Sequence, residues 1–406
     1  MLSVEKALEV IISNISVKVQ SEKTDIFNCY GRTLFNDIQS EFNVPPKDNS
    51  AMDGYAVLTD DIKQATPGSP VSLKIIDEIQ AGYEFKGEKL QSGNAIRIMT
   101  GAPIPEGADS VIQFEETEES GDIVKIFKST VKYENIRFAG EDIKKGNTIL
   151  KKGTRIDSAE VGLLSSLNMN EISVYVKPKV GIISTGDELA EPGFADTGKI
   201  INSNAYVIYS EVKKYGGEPF YEGIVKDNYD DVKKKFLKLM DNDIIISSGG
   251  VSMGRYDFIP DVLKEIGIDI KINKVLMKPG KPVIFGTAGE KVFFGLPGNP
   301  VSVMVSFLQF VRPAILKMIG NNKISKPLLK AKTKEEIIKK PGRKHFIRGI
   351  FTIENGNLSV STTGPQGSGI LTSMSSANCL IIIPEEVEVV KIGEYVDIQL
   401  TGHSEI

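Results

Sequence analysis

The chain has 406 residues, of which 41% are hydrophobic and 25% charged, with 49 basic against 53 acidic side chains and a formal net charge of −4. At about 150 residues per domain this length implies two to four domains, and the mildly acidic balance argues against nucleic acid as the main partner. Two cysteines, Cys29 and Cys379, far apart and in no metal-ligand spacing, and only two histidines, His345 and His403, argue against a zinc centre, a disulfide framework or a Ser-His-Asp triad.

No apolar run reaches the ~18 residues of a membrane span, and the N-terminus lacks a basic segment followed by an apolar one. The expected location is therefore the cytoplasm, with no membrane contact. In chain order, Val4, Ala7, Leu8, Ile11, Ile12 and Ile15 fall at helical spacing and predict an amphipathic packing helix over 3–15. Val44-Pro45-Pro46 then punctuates an extended stretch. The segment Asp48-Asn49-Ser50-Ala51-Met52-Asp53-Gly54-Tyr55-Ala56 reads as a turn-rich loop, which either forms Asx turns or brings Asp53 to a ligand. Short apolar runs at 71–76, 95–99, 110–114 and 123–127 make 57–150 β-rich. Within it one strand ends at Thr100-Gly101 before a proline-braced loop, and Gly140-Glu141-Asp142-Ile143 forms a second acidic turn. Helical spacing returns over 158–170.

From residue 180 strands and helices alternate. A strand at 180–183 closes at Ser184-Thr185-Gly186-Asp187-Glu188-Leu189, and a helix at 205–215 ends at Gly216-Gly217. A strand at 220–225 precedes a helix at 232–240 with Val232, Phe236, Leu237 and Met240 on one face. Strands at 244–247, 270–276, 283–285 and 292–294, a helix at 258–266 and a long apolar helix at 300–319 complete the pattern. This alternation predicts a doubly wound α/β domain with a mainly parallel sheet over about 177–325. Residues 326–400 revert to short β-like runs, broken by the loop Gly364-Pro365-Gln366-Gly367-Ser368-Gly369, and predict a small all-β domain.

The chemistry concentrates in three corners of the α/β domain. They are Ser247-Ser248-Gly249-Gly250-Val251-Ser252-Met253-Gly254 with Asp257 after it, Lys278-Pro279-Gly280-Lys281-Pro282, and Gly295-Leu296-Pro297-Gly298-Asn299-Pro300. Glycine lets backbone N–H groups approach an oxyanion, and a following helix adds its positive end. A Walker-type loop and a Gly-x-Gly-x-x-Gly are both missing, which disfavours ATP hydrolysis and a Rossmann dinucleotide site. Lys274 and Lys278, four apart, share one face if that segment is a strand. Lysine pairs are commonly solvated, but the proline-braced setting favours anion binding. Asp53, Asp187, Glu188, Asp227 and Asp257 stand in or beside turns, and carboxylates next to phosphate-binding glycines suit Mg²⁺. The residues by themselves point to a phosphorylated small molecule with Mg²⁺.

Taken together, 48–56, Arg97-Ile98-Met99-Thr100-Gly101-Ala102-Pro103, 184–189 and the three corners, in this order, resemble the MoeA-type molybdopterin molybdenumtransferases, the family that includes the C-terminal domain of gephyrin. The resemblance covers essentially the whole chain. It implies a multidomain α/β protein: an N-terminal helical segment (1–40 with 145–176), a β-rich insertion (41–144), a doubly wound molybdopterin-binding α/β domain (177–325) and a small C-terminal β-barrel (326–406). It further implies a homodimer that inserts molybdate into adenylylated molybdopterin with Mg²⁺, releasing AMP and molybdenum cofactor, after transient contact with the protein that adenylylates the pterin. Tungstate insertion and a non-catalytic molybdopterin-binding scaffold are the alternatives.

Residue by residue, the resemblance implies catalytic roles for Asp53, Thr100, Glu188, Asp257, Lys274 and Lys278, with Asp257 and Glu188 as the Mg²⁺ carboxylates. It implies ligand binding by Asp142, Asp227, Ser248, Gly249, Gly250, Ser252, Lys281, Pro297, Pro300, Arg348 and Ser368. Lys274 and Lys278 match the pair that holds molybdate or phosphate. Arg255 stands where many relatives carry an acidic residue.

Overall fold

The isoleucine run Ile244–Ser248 forms an interior strand of a six-stranded sheet, because its alternating side chains are apolar on both faces. In the computed structural model, which describes residues 1–193, 198–251, 258–354 and 356–402, the sheet order is Glu218–Val225, Lys179–Thr185, Ile244–Ser248, Lys291–Leu296, Ile284–Ala288, Asp269–Ile272. The first four strands run parallel, and Ile284–Ala288 is antiparallel to both of its neighbours. Val180, Ile182, Ile244, Ile246, Val292 and Phe294 point to one face, covered by the helices Val4–Ser13, Asn204–Lys214 and the apolar run from Pro300 to Met318. Ile183, Ile245 and Phe293 point to the other, under Tyr229–Leu239 and Ile259–Glu265. The period of two therefore builds two cores from one set of strands.

The Pro300–Met318 run is long and apolar enough to cross a bilayer by composition, yet 83% of it is buried inside this unit as a core helix. Its middle, Phe307–Val311, is π-helical and precedes Pro313, so the bulge sits where the proline cannot donate an i→i−4 bond.

Five strands, Leu329–Thr333, Lys344–Glu354, Asn357–Thr362, Cys379–Ile383 and Tyr395–Leu400, pair in a closed circuit and form the C-terminal barrel. Met277–Lys278 leaves the α/β layer and pairs in parallel with Lys344–His345 at the barrel wall. The short helix Leu371–Ser376, between two barrel strands, has no counterpart in the sequence reading. Near the N-terminus, Ser21–Asp25 pairs antiparallel with Glu171–Tyr175, so a two-stranded ribbon accompanies the helix expected there.

These elements belong to one compact unit, Met1–Asn36 with Lys152–Asp157 and Glu171–Ile406; the second comprises Asp37–Lys151 and Ser158–Asn170. The second holds a six-stranded sheet ordered Ser110–Gln113, Gly54–Val57, Asn94–Ile98, Val71–Ile79, Ile123–Ile126, Thr117–Ser120. Here the structure corrects the reading of 48–56 as loop throughout: Gly54–Val57 is a fully buried interior strand. Gly54 permits this, since a Cβ there would stand 1.9 Å from the Ile112 carbonyl oxygen.

A second correction concerns the helix Tyr229–Leu239. Its buried face is Val232, Phe236 and Leu239, at i, i+4 and i+7, whereas Leu237 is 52% exposed. Leu237 lies roughly 140° around the helix from Val232. Phe236 stacks edge-on against Phe293 at 5.4 Å. Phe236→Ala should cost about 3–5 kcal/mol and Leu237→Ala less than about 0.5 kcal/mol. The urea midpoint of the unfolding transition of each variant checks this; equal shifts would contradict the assigned face.

Candidate functional site

The α/β sheet changes winding direction beside Lys179–Thr185: the chain visits Glu218–Val225 on one side of that strand and then crosses to Ile244–Ser248 on the other. The crevice outside the carboxyl ends of two such strands is where this class of sheet binds ligands. A cavity of about 260 Å³ lies there, lined by Thr185, Gly186, Glu188, Leu189, Asn204, Asp227, Ser248, Gly249, Gly250, Val251, Pro282, Pro297 and Gly298.

Backbone geometry shapes its floor. Gly249 and Gly250 have φ of +91° and +65°, and a Cβ on Gly249 would stand 2.6 Å from the Thr185 carbonyl oxygen. The two glycines thus let the strand ends close on each other. The Gly249 N–H donates to the Leu296 carbonyl at 3.1 Å, joining the first corner to the third. Asn204 Nδ2 donates to Ser248 Oγ at 2.9 Å and to the Gly298 carbonyl at 2.7 Å, strapping the same two corners from a helix N-terminus. The Glu188 carboxylate folds back over Gly186, where a Cβ would meet its oxygens at 2.7 Å.

Behind the pocket, Ser184 Oγ donates to Asn202 Oδ1, Asn202 Nδ2 donates to the Tyr221 hydroxyl, and Tyr221 donates to Glu191, which also accepts from Tyr206. Burial first, and then the Glu191 carboxylate, push the Tyr221 phenol above its ordinary range, so it stays a donor.

A second cavity, about 860 Å³, opens on the barrel side and shares Pro282 with the first. Six cations line it (Lys278, Lys281, Lys339, Lys340, Arg343 and Arg348) against two carboxylates, Glu335 and Glu336. That excess makes it an anion cavity. Arg348 is 1% exposed and held in place: Nε donates to Ser373 Oγ and Nη2 to the Gly367 carbonyl, both at 2.9 Å. Burial pulls the pKa of its guanidinium down. The Ser368 carbonyl accepts from the Val301 N–H at 3.1 Å, so the glycine-rich barrel loop caps the helix that follows the third corner.

Of the residues expected from the sequence, Glu188, Asp227, Ser248, Gly249, Gly250 and Pro297 converge on the smaller cavity, and Lys278, Lys281, Arg348 and Ser368 on the larger. Lys274, half-buried, and Pro300, the first residue of its helix, line neither. Ser252 and Asp257 lie outside the described residues. In the β-rich unit, Asp53 Oδ1 accepts the Thr100 N–H at 2.7 Å, and this bond, followed by one from the Thr100 side chain, holds the Asp53 carboxyl below its ordinary range. Asp142 sits on an exposed turn of the same unit, its N–H donating to the Val44 carbonyl.

Sequence reasoning missed Asn204 and the barrel's basic wall. The polar triplet Asn202-Ser203-Asn204 at a helix start was the available signal for the first, and the cation-rich turn Lys339-Lys340-Pro341-Gly342-Arg343 for the second.

Three family models match in register: the MoeA N-terminal region (domains I and II) over residues 2–168, a probable molybdopterin binding domain over 181–317, and the MoeA C-terminal region (domain IV) over 330–401. The molybdopterin molybdenumtransferase of Haemophilus influenzae is 37% identical over 99% of this chain and 99% of that protein. That of Nostoc sp. is 36% identical over 92% and 88%. A crystal structure of the molybdopterin biosynthesis MoeA protein from Pyrococcus horikoshii OT3 matches with a TM-score of 0.85 at 34% identity, covering 98% of this chain and 100% of that one.

Because Asn204 bridges two corners, Asn204→Ala should speed amide exchange at Gly249, Gly250, Leu296 and Gly298 about tenfold or more, leaving the barrel strands unchanged. Hydrogen-exchange mass spectrometry reads both regions; unchanged protection at the corners would contradict the strap.

Proposed function

The chain belongs to the molybdopterin molybdenumtransferases, enzymes of molybdenum cofactor biosynthesis, and from that membership we propose that it inserts molybdate into adenylylated molybdopterin and releases AMP, with Mg²⁺. The observation that carries the reading is the pair of cavities joined at Pro282: one of glycine corners and carboxylates, one of lysines and arginines. The first suits the phosphate-bearing pterin. Its glycines admit close approach of phosphate oxygens to the backbone, and Ser248, strapped by Asn204, supplies a hydroxyl. The second suits a tetrahedral dianion, which loses its hydration only where several cations replace it.

Mg²⁺ fits the donors present. Glu188 and Asp227 line one pocket, and among the described residues no group of three or more His, Cys, Asp or Glu is preassembled for a metal. Two carboxylates completed by substrate phosphate oxygens and water are what Mg²⁺ uses. When bound, it would neutralise phosphate charge as the leaving group departs. Asp257 keeps its resemblance-based assignment as a further Mg²⁺ carboxylate, as do Asp53, Thr100 and Asp142 as functional residues of the β-rich unit and Lys274 as a partner of Lys278.

The chain's own part in the chemistry is to bind, orient and shield. Lys278 and Lys281 hold the oxyanion beside Pro282, the residue common to both cavities, which replaces a bimolecular encounter by a positioned one. The sulfur nucleophiles belong to the substrate. Both cysteines of the chain are buried, and burial pushes the Cys379 thiol up to about 12 and raises that of Cys29, so neither is a thiolate at neutral pH. A homodimer is part of the same proposal and is carried from family membership. Transient docking of the adenylylating protein would deliver the substrate.

A turnover assay with adenylylated molybdopterin, with and without Mg²⁺, and with molybdate or tungstate, tests the reading. Oxyanion-dependent AMP release with active cofactor as product is the expected result. Tight pterin binding without AMP release under either oxyanion would replace the enzyme by a scaffold. Lys278→Ala should lower turnover about 100-fold, the scale of losing one preorganised charge contact, with pterin affinity nearly unchanged. Equal loss of both would reassign Lys278 to phosphate anchoring.

A further inference from the structure

We propose that capture of the oxyanion in the larger cavity is coupled to uptake of a proton by His345, which makes this imidazole a positioning residue for the dianion. The inference rests on the assignment of that cavity to molybdate.

His345 lies on the barrel strand Lys344–Glu354, directly across the parallel ladder from Lys278. Residues opposed in a ladder carry their side chains on the same face, and both line the larger cavity. His345 is 6% exposed, and its Nε2 is buried with no hydrogen-bond partner among the described residues. A buried ring nitrogen without a partner is costly unless something supplies one.

The charged groups around the ring are of one dominant sign. Lys278 comes from the paired strand and Lys281 from the turn after it; Lys339 and Arg343 come from the segment before its own strand. Glu335 and Glu336 line the same cavity, but Glu335 is engaged by the Thr362 N–H. Glu385, next along from the neighbouring strand, accepts Lys339 Nζ through its main-chain carbonyl. On His345's own strand, Lys344 pairs with Glu5, and Arg348 is bonded to Ser373 and Gly367. Burial first, and then Lys339, Lys278 and Arg343, push the pKa of the imidazole down to about 4. In the empty cavity the ring is therefore neutral throughout the physiological range.

A dianion settling among those cations reverses the field at the ring. Protonated imidazole then completes the set of donors around the anion, and proton and oxyanion bind each other's complex more tightly than the free protein. The direction follows from linkage: between about pH 8 and pH 6 the empty site binds no proton at His345 while the filled site does, so affinity rises as pH falls. If the filled site titrates about half a unit above the ordinary histidine value of about 6.5, the gain across that interval is on the order of tenfold.

Calorimetry of the whole protein with molybdate, and separately with sulfate, whose charge does not change in this interval, reads the coupling. Titrations run in two buffers of different ionisation enthalpy, at about pH 6 and about pH 8. The expected result is fractional proton uptake and about tenfold tighter binding at the lower pH for both anions, with His345→Gln binding independently of pH. In the wild-type protein, nitrogen-resolved imidazole spectra should show His345 moving from the neutral to the charged form on adding molybdate near pH 6; this readout does not depend on how the variant folds. Oxyanion binding without proton uptake, or an unchanged pH slope in His345→Gln, overturns the coupling and leaves the cavity's assignment intact. Failure of molybdate to bind at any pH overturns both.

Discussion

Two residues, Met277 and Lys278, leave the α/β layer to pair in parallel with Lys344–His345 of the barrel, and the candidate site depends on that short ladder. It sets Lys278 beside His345. It brings the Pro279–Pro282 corner against the barrel, so that Pro282 is the wall common to both cavities. The closed barrel carries Arg348 and the Gly364–Gly369 loop to the same place, and the loop's Ser368 carbonyl caps the helix that begins at Pro300. The ladder and the cap act beside a shared core, since Phe346, Met374 and Leu380 of the barrel region pack into the cluster that also holds Ile244, Phe294 and Phe310 of the α/β layer.

The charges of this surface are arranged for anions that arrive with their own counter-groups. The chain as a whole is slightly acidic, yet six cations converge on one cavity. Burial lowers the pKa of Lys339, Arg348 and His345, and at His345 the neighbouring Lys339, Lys278 and Arg343 add to it. A dianion placed there would offset that burial, which is the physical ground for the proposed oxyanion site. The neighbouring pocket adds two carboxylates, Glu188 and Asp227, which by themselves oppose a bare phosphate.

Family membership and the geometry meet at particular residues. The glycine corners that suggested a phosphate ligand do line the pocket at the winding reversal, and the lysine corner does open on a cationic cavity. Lys274, four residues before Lys278, does not share that lining, because the strand into the barrel begins only at Met277 and the two lysines are not on one continuous strand. The Leu237 misassignment has a similar origin: a leucine near the apolar face is indistinguishable by type from one on it, and only the helix phase set by Val232 and Phe236 separates them.

The alternation of strands and helices, the apolar doubly buried strands, the long core helix and the three corners were all legible in the amino-acid sequence, because local periodicity and turn chemistry encode them. So were ten of the residues that line the two cavities. Which corners touch was not legible, since it depends on strand order: the crossing from Glu218–Val225 to Ile244–Ser248, and the departure of Met277–Lys278 to the barrel, are choices of non-local pairing. Gly54 shows the same division. Its neighbours read as a loop by composition, and only the pairing with 111–113 shows an interior strand, whose first position must be glycine because a Cβ there would stand 1.9 Å from the Ile112 carbonyl oxygen. Asn204 and His345 acquire their roles wholly from tertiary contact, one by reaching two corners at once and the other by lying across a ladder from Lys278.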